Sequence, residues 1–401
     1  MKDGHGIPAL AQSSRIKRAL RKHLKSLGFG RESDGSLSLV STGKQAFRDC
    51  HASQRAEKNE KNAAFVVRAW PLYRDHFASG SEVDPHLIRP ELELVEAGTW
   101  QSELFRLATL TWSVPVSAGY GRRMRFLVWD RSNEKLMGLI GLTDPVFNLR
   151  VRDHDIGWTG ADRKERLACM MDAHILGAVP PYNQLLCGKL ISCIIRSKEI
   201  RDRFNKRYGN SVGIISGRAK KAKLLAVTTS SSLGRSAVYN RLKLGGSLYF
   251  RSLGYTEGFG HFQIPQPLFE EMRKYLESIG HPYANRNEFG NGPNWRLRAI
   301  RKCLEHIGYN ANILQHNLRR EVFICPLASN YREVYQGKRI RAAWDHLQQI
   351  PEISQLAVAR WVLPRSASRP EWRAWEKDAI LAQIHGSEAP KKLALRNGTG
   401  I

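Results

Sequence analysis

Residues 172–189 read DAHILGAVPPYNQLLCGK. The run His174–Val179 is short and apolar, and Pro180-Pro181 ends it. Apolar residues then recur at helical spacing from Tyr182 to Ser197. The stretch therefore predicts a strand, a break and a helix. A strand that stops and feeds a helix N-terminus is where many α/β proteins hold anions, because the first helical amides are unpaired. Upstream, Arg125–Asp130 (RFLVWD) and Lys135–Leu142 (KLMGLIGL) flank a polar SNE turn, the pattern of an antiparallel hairpin. Arg163–Asp172 and Arg235–Leu242 read as helices, and Leu224–Thr228, Leu248–Phe250 and Phe259–Ile264 as strands. This order predicts an α/β domain, one mixed central sheet with helices on its faces.

The flanks read differently. Ser13–Leu27 has Ile16, Ala19, Leu20, Leu24 and Leu27 on one helical face, while Lys17, Arg18, Arg21, Lys22 and Lys25 cover the rest. Ser13 or Ser14 is the expected cap and Gly28 the stop. Gln45–Trp70 is expected to be a charged helix ending before Pro71, and Pro90–Leu110 another helix. Beyond Pro265, helices are expected at 268–279, 296–307, 331–348 and 369–384, with an isolated strand at 320–325 and a frayed tail from Gly386. The organisation that follows is a basic helical region over 1–90, an α/β core over 91–265 and a mainly helical region over 266–401.

Charge is the strongest global feature. Sixty-three Lys and Arg against 37 Asp and Glu leave a net charge of +26 over 401 residues. Such an excess points to a polyanion, and DNA is the expected partner. Residues 203–256 hold no acid at all but eleven cations: Arg203, Lys206, Arg207, Arg218, Lys220, Lys221, Lys223, Arg235, Arg241, Lys243 and Arg251. All but Arg251 are candidates for phosphate contact, with Arg18 and Lys22 of the first helix and Arg122 and Arg123 after the Gly119-Tyr120-Gly121 turn. Ser232, in the hydroxyl-rich loop Thr228–Ser236, is a further candidate. Tyr249, Phe250, Tyr255, Phe259 and Phe262 suit either base stacking or a sheet core. No helix-turn-helix or zinc-finger signature accompanies them. No apolar run approaches ~18 residues, so no membrane span is expected. Six scattered Cys without a CxxC pair, and an N-terminus without a signal pattern, give a cytoplasmic expectation.

Catalysis has one set of candidates. Asp144, Asp153, Asp155 and Asp172 are the carboxylates that would converge on a divalent metal if the chain hydrolysed phosphodiesters. Asp153 and Asp155 share a face if their segment is extended. The competing expectation has Asp144 as a turn residue before Pro145, Asp153 and Asp155 paired with Arg150 and Arg152, and His174 as a core residue. No cysteine-histidine metal motif is present.

Several long stretches carry a resemblance: 104–130 (LFRLATLTWSVPVSAGYGRRMRFLVWD), 141–158 (GLTDPVFNLRVRDHDIGW), 170–190 (MMDAHILGAVPPYNQLLCGKL), 228–242 (TTSSSLGRSAVYNRL) and 254–262 (GYTEGFGHF). Over about residues 60–270 the chain resembles the DruA family of the Druantia anti-phage defence systems. The resemblance implies a bacterial defence component working beside other system proteins, and supplies no catalytic residue. The sheet order also resembles the acetyl-coenzyme A-dependent (GNAT-like) acyltransferase fold. There the loop after the strand cradles pyrophosphate, and the equivalent here is Pro181–Lys189. Leu185, Leu186 and Cys187 stand where small residues are wanted, which argues against acetyl-coenzyme A and leaves Asn183, Gln184 and Lys189 to border a polar groove. The expected function is DNA binding. The alternatives are a metal-dependent nuclease, a degenerate acyltransferase, or an assembly subunit docking an acidic protein.

Overall fold

The hairpin at 123–143 forms as its apolar runs require. In the computed structural model, which describes residues 6–41, 43–212, 219–285, 294–338 and 340–385, β4 (Arg123–Asp130) pairs with β5 (Lys135–Thr143) in antiparallel register, Phe126 opposite Ile140. Both strands are buried along almost their whole length, so they occupy the middle of a sheet covered on both faces. Asp130 closes the turn: its buried carboxylate accepts from the Ser132 amide (3.1 Å), the Arg89 amide (3.0 Å) and the Tyr182 hydroxyl (3.0 Å).

Seven strands make the sheet. From one edge they are β12 (Arg251–Tyr255), β13 (Glu321–Pro326), β9 (Ala226–Ser230), β6 (Met170–Ala178), β5, β4 and β3 (Pro90–Leu94). All neighbours are antiparallel except β6 and β9. The sheet is thus mixed and flanked by helices, as expected. The parallel pair shares only the register Met170↔Ala226 to Asp172↔Thr228. Beyond it β6 stays with β5 and β9 stays with β13, so the sheet opens at Asp172 and Thr228.

Gly138 of β5 sits where β6 and helix α7 (Cys187–Ile194) come closest. A Cβ there would lie 2.3 Å from Ile191 Cδ1 and 2.4 Å from the Gly177 carbonyl oxygen. Backbone cannot yield as a side-chain tip can, so Gly138→Ala is expected to cost about 1–3 kcal/mol of overpacking. A urea midpoint equal to that of the native chain would refute this.

By contact the chain divides into two interleaved units, 1–57 with 232–234 and 256–320, and 58–231 with 235–255 and 321–401. The three consecutive regions drawn from the sequence are a partition by chain order rather than by contact. In the first unit, α1 (Gly6–Ser26) turns Ile16, Leu20 and Leu24 into a core shared with α9 (Gln266–Ser278) and α10 (Asn294–His306). A two-stranded ribbon, β1 (Phe29–Arg31) and β2 (Leu37–Leu39), and α2 (Lys44–Cys50) complete it. In the second unit, α3 (Ala52–Tyr73, from residue 58 on) and α4 (Trp100–Thr109) cover one sheet face with α14 (Ala379–His385). Helix α7, α8 (Lys198–Tyr208), α12 (Ile350–Ala357) and the turn continuing into α13 (Leu363–Ser368) pack in the largest core cluster. The remaining elements are α5 (Arg150–Ile156), α6 (Gly160–Arg166), α11 (Tyr331–Tyr335) and the ribbons β7–β8 (Asn210–Val212, Ala219–Lys221) and β10–β11 (Lys243–Leu244, Ser247–Leu248).

Several local expectations are corrected. Residues 90–94 form an edge strand, not a helix: Glu91 and Glu93 alternate with Leu92 and Leu94, and Pro90 is tolerated as the first residue of an edge strand. Residues 235–242 make turns. There Ser236 Oγ accepts from the amides of Val238 (3.1 Å) and Tyr239 (2.9 Å), but Arg241 at φ 61° breaks any helical continuation. Residues 259–264 are turns, and 320–325 is not isolated, since β13 lies between β12 and β9. The first helix begins seven residues before Ser13, which is buried inside it. The 45–70 helix is broken at His51 and runs through Pro71 to Tyr73. Only 331–335 of the 331–348 helix forms, and 369–384 is a 3-10 turn followed by α14. The tail from Gly386 lies outside the described residues.

Candidate nucleic-acid interface

Helix α8 begins at Ser197, whose hydroxyl accepts from the Ile200 amide (3.3 Å). Ile200 and Phe204, four apart, are buried and anchor one face. Arg203 and Lys206 are left exposed on the other, and neither forms an ion pair among the described residues. Arg207 is exposed but pairs with Glu96 at 3.0 Å. The β7–β8 ribbon follows, with Asn210 opposite Lys221. Past it, buried Ala222 and Leu224 alternate with exposed Lys221 and Lys223, so the period of two that fills the core also turns both lysines outward. Arg218 lies outside the described residues, and Lys220 sits in β8.

These elements enclose a cleft of about 310 Å³, lined by Arg201, Asn205, Asn210, Lys221, Lys223 and Trp344, with Gly209 and Ala222. No acid lines it. Arg201, Asn205 and Trp344 are contributions that the sequence reading missed. Arg201 lies just before the acid-free stretch, and Trp344 lies in a segment that reads as helix but is irregular.

The other candidate cations do not line this cleft. Arg18 and Lys22 are exposed on α1, in the first unit, as is Ser232. Arg235, Arg241 and Lys243 are exposed in the turns and ribbon after β9. Arg123 is exposed, its Nη2 donating to the Gly119 carbonyl (3.0 Å). Arg122 is committed internally: Nε donates to Asp144 Oδ1 (2.7 Å), and its other nitrogens donate to the carbonyls of Ala168 (2.7 Å) and Met170 (3.2 Å). Of the aromatics, Tyr249 and Phe250 are core, while Tyr255 and Phe259 are exposed.

The candidate carboxylates take two directions. Asp153 and Asp155 lie on helix α5, not on an extended segment, so they do not share a face. Asp155 accepts from Arg251 (2.6 and 2.8 Å) and Arg332 (2.8 Å); burial opposes its charge, but these guanidinium bonds hold its pKa below the usual range. Asp153 accepts from Arg152 (2.6 Å) and Arg163 (3.0 Å). Asp172 accepts from the Thr228 hydroxyl (2.7 Å) where the sheet opens. Burial pushes its pKa up to about 6, against the pull of Thr228 and of Arg152. Tyr120 feels both Asp172 and Asp144, and burial with those two charges raises its pKa. Asp144, Asp153 and Asp172 thus bond different partners, Arg122, Arg152 with Arg163, and Thr228. Among the described residues, no three His, Cys, Asp or Glu gather closely enough to hold a metal ion. His174 is kept neutral down to about pH 4 by burial and then by Arg125.

The loop after β6 turns its polar backbone inward. The amides of Asn183, Gln184, Leu186 and Cys187 donate to the carbonyls of Val179, Pro181, Asn183 and Tyr182. Leu185 and Cys187 are fully buried, and Leu186 takes φ 63°. A cradle whose amides are already bonded has few left for pyrophosphate. Asn183 is exposed, the Gln184 carbonyl accepts from Arg365 Nε (3.1 Å), and Lys189 Nζ stands 5.5 Å from the Trp361 ring centre.

No helix among the described residues is long and apolar enough to cross a membrane. No solved structure matches the chain. The family model described as Druantia protein DruA matches residues 41–337. A curated Druantia protein DruA from Escherichia coli (strain UMEA 4076-1) is 52% identical over 366 residues, which is 91% of this chain and 90% of that protein. The motifs singled out between residues 104 and 262 all fall inside the matched span, and the chain belongs to the DruA family.

Proposed function

We propose that this chain, a component of a Druantia defence system by its family, binds DNA through the phosphate backbone, with the cations of α8 and the β7–β8 ribbon making the principal contact. The carrying observation is that Arg203, Lys206, Lys221 and Lys223 are exposed and form no ion pair among the described residues, in a segment, 203–256, that contains no acid. Surface cations usually find nearby carboxylates. A set left without them keeps its charge for a polyanion and releases counterions from it on binding. The protein would act in the cytoplasm, beside the other proteins of its system.

A mobility-shift series from 50 to 200 mM salt tests this. Affinity is expected to fall steeply, with a log–log slope of about −0.9 per phosphate contacted. The double variant Lys221→Glu/Lys223→Glu is expected to weaken binding at least tenfold and to shallow the slope by about two. Absence of binding at the lowest salt would end the proposal. Retention of an acidic protein in place of DNA would favour an assembly role.

The sheet supports a GNAT-like reading in one respect, the parallel pair that parts after three residue pairs. The bonded amides of Asn183, Gln184, Leu186 and Cys187 argue against acetyl-coenzyme A in the loop beside it.

A further inference from the structure

We propose that the cleft between α8 and the β7–β8 ribbon takes an unpaired nucleotide, so that the preferred ligand is single-stranded nucleic acid. This rests on the DNA-binding reading above and narrows it to one form. Three features of the cleft point to it.

The first is a stacking platform. The Arg201 guanidinium carbon lies 5.3 Å from the Trp344 ring centre, and Arg201 is held by two bonds to Asp202 Oδ1 (2.8 and 2.7 Å). Both groups are planar, and such planes accept any nucleobase by stacking. Trp344 is only half-buried, so part of its ring remains available.

The second is that the platform is fixed before any ligand arrives. Trp344 lies outside regular structure, yet its segment is tied down on both sides. The Ser329 amide donates to the Ala343 carbonyl (2.9 Å), Asn330 Oδ1 accepts from the Ala343 amide (2.8 Å), and the Leu347 amide donates to the Trp344 carbonyl (3.1 Å). The Lys198 amide donates to the Gln348 carbonyl (3.0 Å), which joins the Trp344 segment to the start of α8. Both walls of the cleft are therefore linked, and ordering costs on binding are reduced.

The third is the lining. Lys221 and Lys223 supply charge for phosphates, and the Asn205 and Asn210 amides offer donors and acceptors to a base edge. A duplex keeps its bases stacked inside and presents only phosphates and groove edges, so it engages the lysines but not the platform. An acidic peptide would satisfy the lysines and leave the aromatic–guanidinium plane unused.

The test compares a labelled 15-nucleotide single strand with a hairpin duplex of the same length, by fluorescence anisotropy. The native chain is expected to bind the single strand at least tenfold more tightly. Trp344→Ala is expected to weaken the single strand five- to hundredfold and the duplex less than twofold. Trp344→Phe should recover part of the loss, and Trp344→Leu, which keeps apolar packing, should not. Melting temperatures of the three variants separate a lost platform from a lost fold. If Lys221→Glu/Lys223→Glu weakens binding while Trp344→Leu in a stably folded protein does not, DNA binding stands and the stacking proposal falls. Equal affinity for the two ligands also overturns it. If neither ligand binds, the underlying reading fails as well.

Discussion

Lowering the pH from 7.5 to 5 is expected to cost the first unit about 4 kcal/mol of stability, through two histidines. His51 and His316 are almost fully buried and flank Phe262, at ring-centre distances of 4.3 and 4.9 Å. Each is built as a neutral ring. His51 Nδ1 faces Gln54 Oε1 at 3.1 Å, so it donates, and Nε2 accepts from Arg320 Nη2 at 3.1 Å. His316 Nδ1 accepts from the Leu318 amide (3.2 Å). A second proton on either ring would displace an accepted bond and add charge beside Arg320. Burial, then Arg320, accordingly lowers the two pKa values to about 4 and about 3, from 6.5. A folded-state pKa below the unfolded one contributes stability that is complete above the unfolded value and is lost as pH falls. At pH 5 both rings are still neutral when folded but protonated when unfolded. Each then costs about 2 kcal/mol, from 1.5 pKa units at about 1.4 kcal/mol each. His174, at about 4, acts in the same direction in the second unit. Asp172 acts oppositely: its raised pKa of about 6 makes the fold gain stability as pH falls from 6 towards 4. Melting curves from pH 7.5 to 5 read the sum, and His51→Gln with His316→Gln should flatten them. A native profile that is flat over this range, or that the double variant leaves unchanged, would show that the rings are not held neutral.

The second large effect is expected at Arg152. Its guanidinium is completely buried, and each of its nitrogens donates a hydrogen bond. Nε and Nη2 donate to Asp153 Oδ1 (2.8 and 2.6 Å), Nη1 to the Val146 carbonyl (2.8 Å) and Nη2 also to the Phe147 carbonyl (2.9 Å). It thereby fixes the turn between β5 and α5, and its charge pulls the Asp172 pKa down against burial. Arg152→Leu preserves apolar contact but leaves the buried Asp153 carboxylate with Arg163 and the Leu149 amide, both on Oδ2, and leaves two carbonyls without their donor. Breaking a buried pair from one side costs about 3–5 kcal/mol. Arg152→Lys keeps the charge without the planar fork and should fall between. Urea unfolding measures both, and a loss below about 1 kcal/mol for the leucine variant would show that the network is dispensable. The candidate carboxylates have separate partners: Arg122 takes Asp144, Arg152 and Arg163 take Asp153, Arg251 and Arg332 take Asp155, and the Thr228 hydroxyl bonds Asp172.

Local patterns were enough for part of this molecule. Residues 126–129 and 136–142 are apolar throughout and are all buried, so the central hairpin follows from them directly. The α1 stripe Ile16–Leu20–Leu24 and the helices at 266–278 and 294–306 follow from the 3.6 period in the same way. The acid-free stretch 203–256 was legible because counting charges needs no coordinates.

Tertiary structure decided the rest, because contacts between distant residues leave no periodic trace. Residues 320–325 read as an isolated strand, since Phe323 pairs with Ser252 and Ile324 with Thr228, 71 and 96 positions away. Asp153 and Asp155 looked like a pair, but a helical rise turned one toward Arg152 and the other toward Arg251. Arg122 reads like any surface cation until Asp144 takes it. In the opening stretch, 172–189, sequence alone established a strand, a break and a helix. Only the fold showed that the loop's amides bond back on themselves, and that a cleft forms one helix further along, where Trp344 arrives from about 140 residues away.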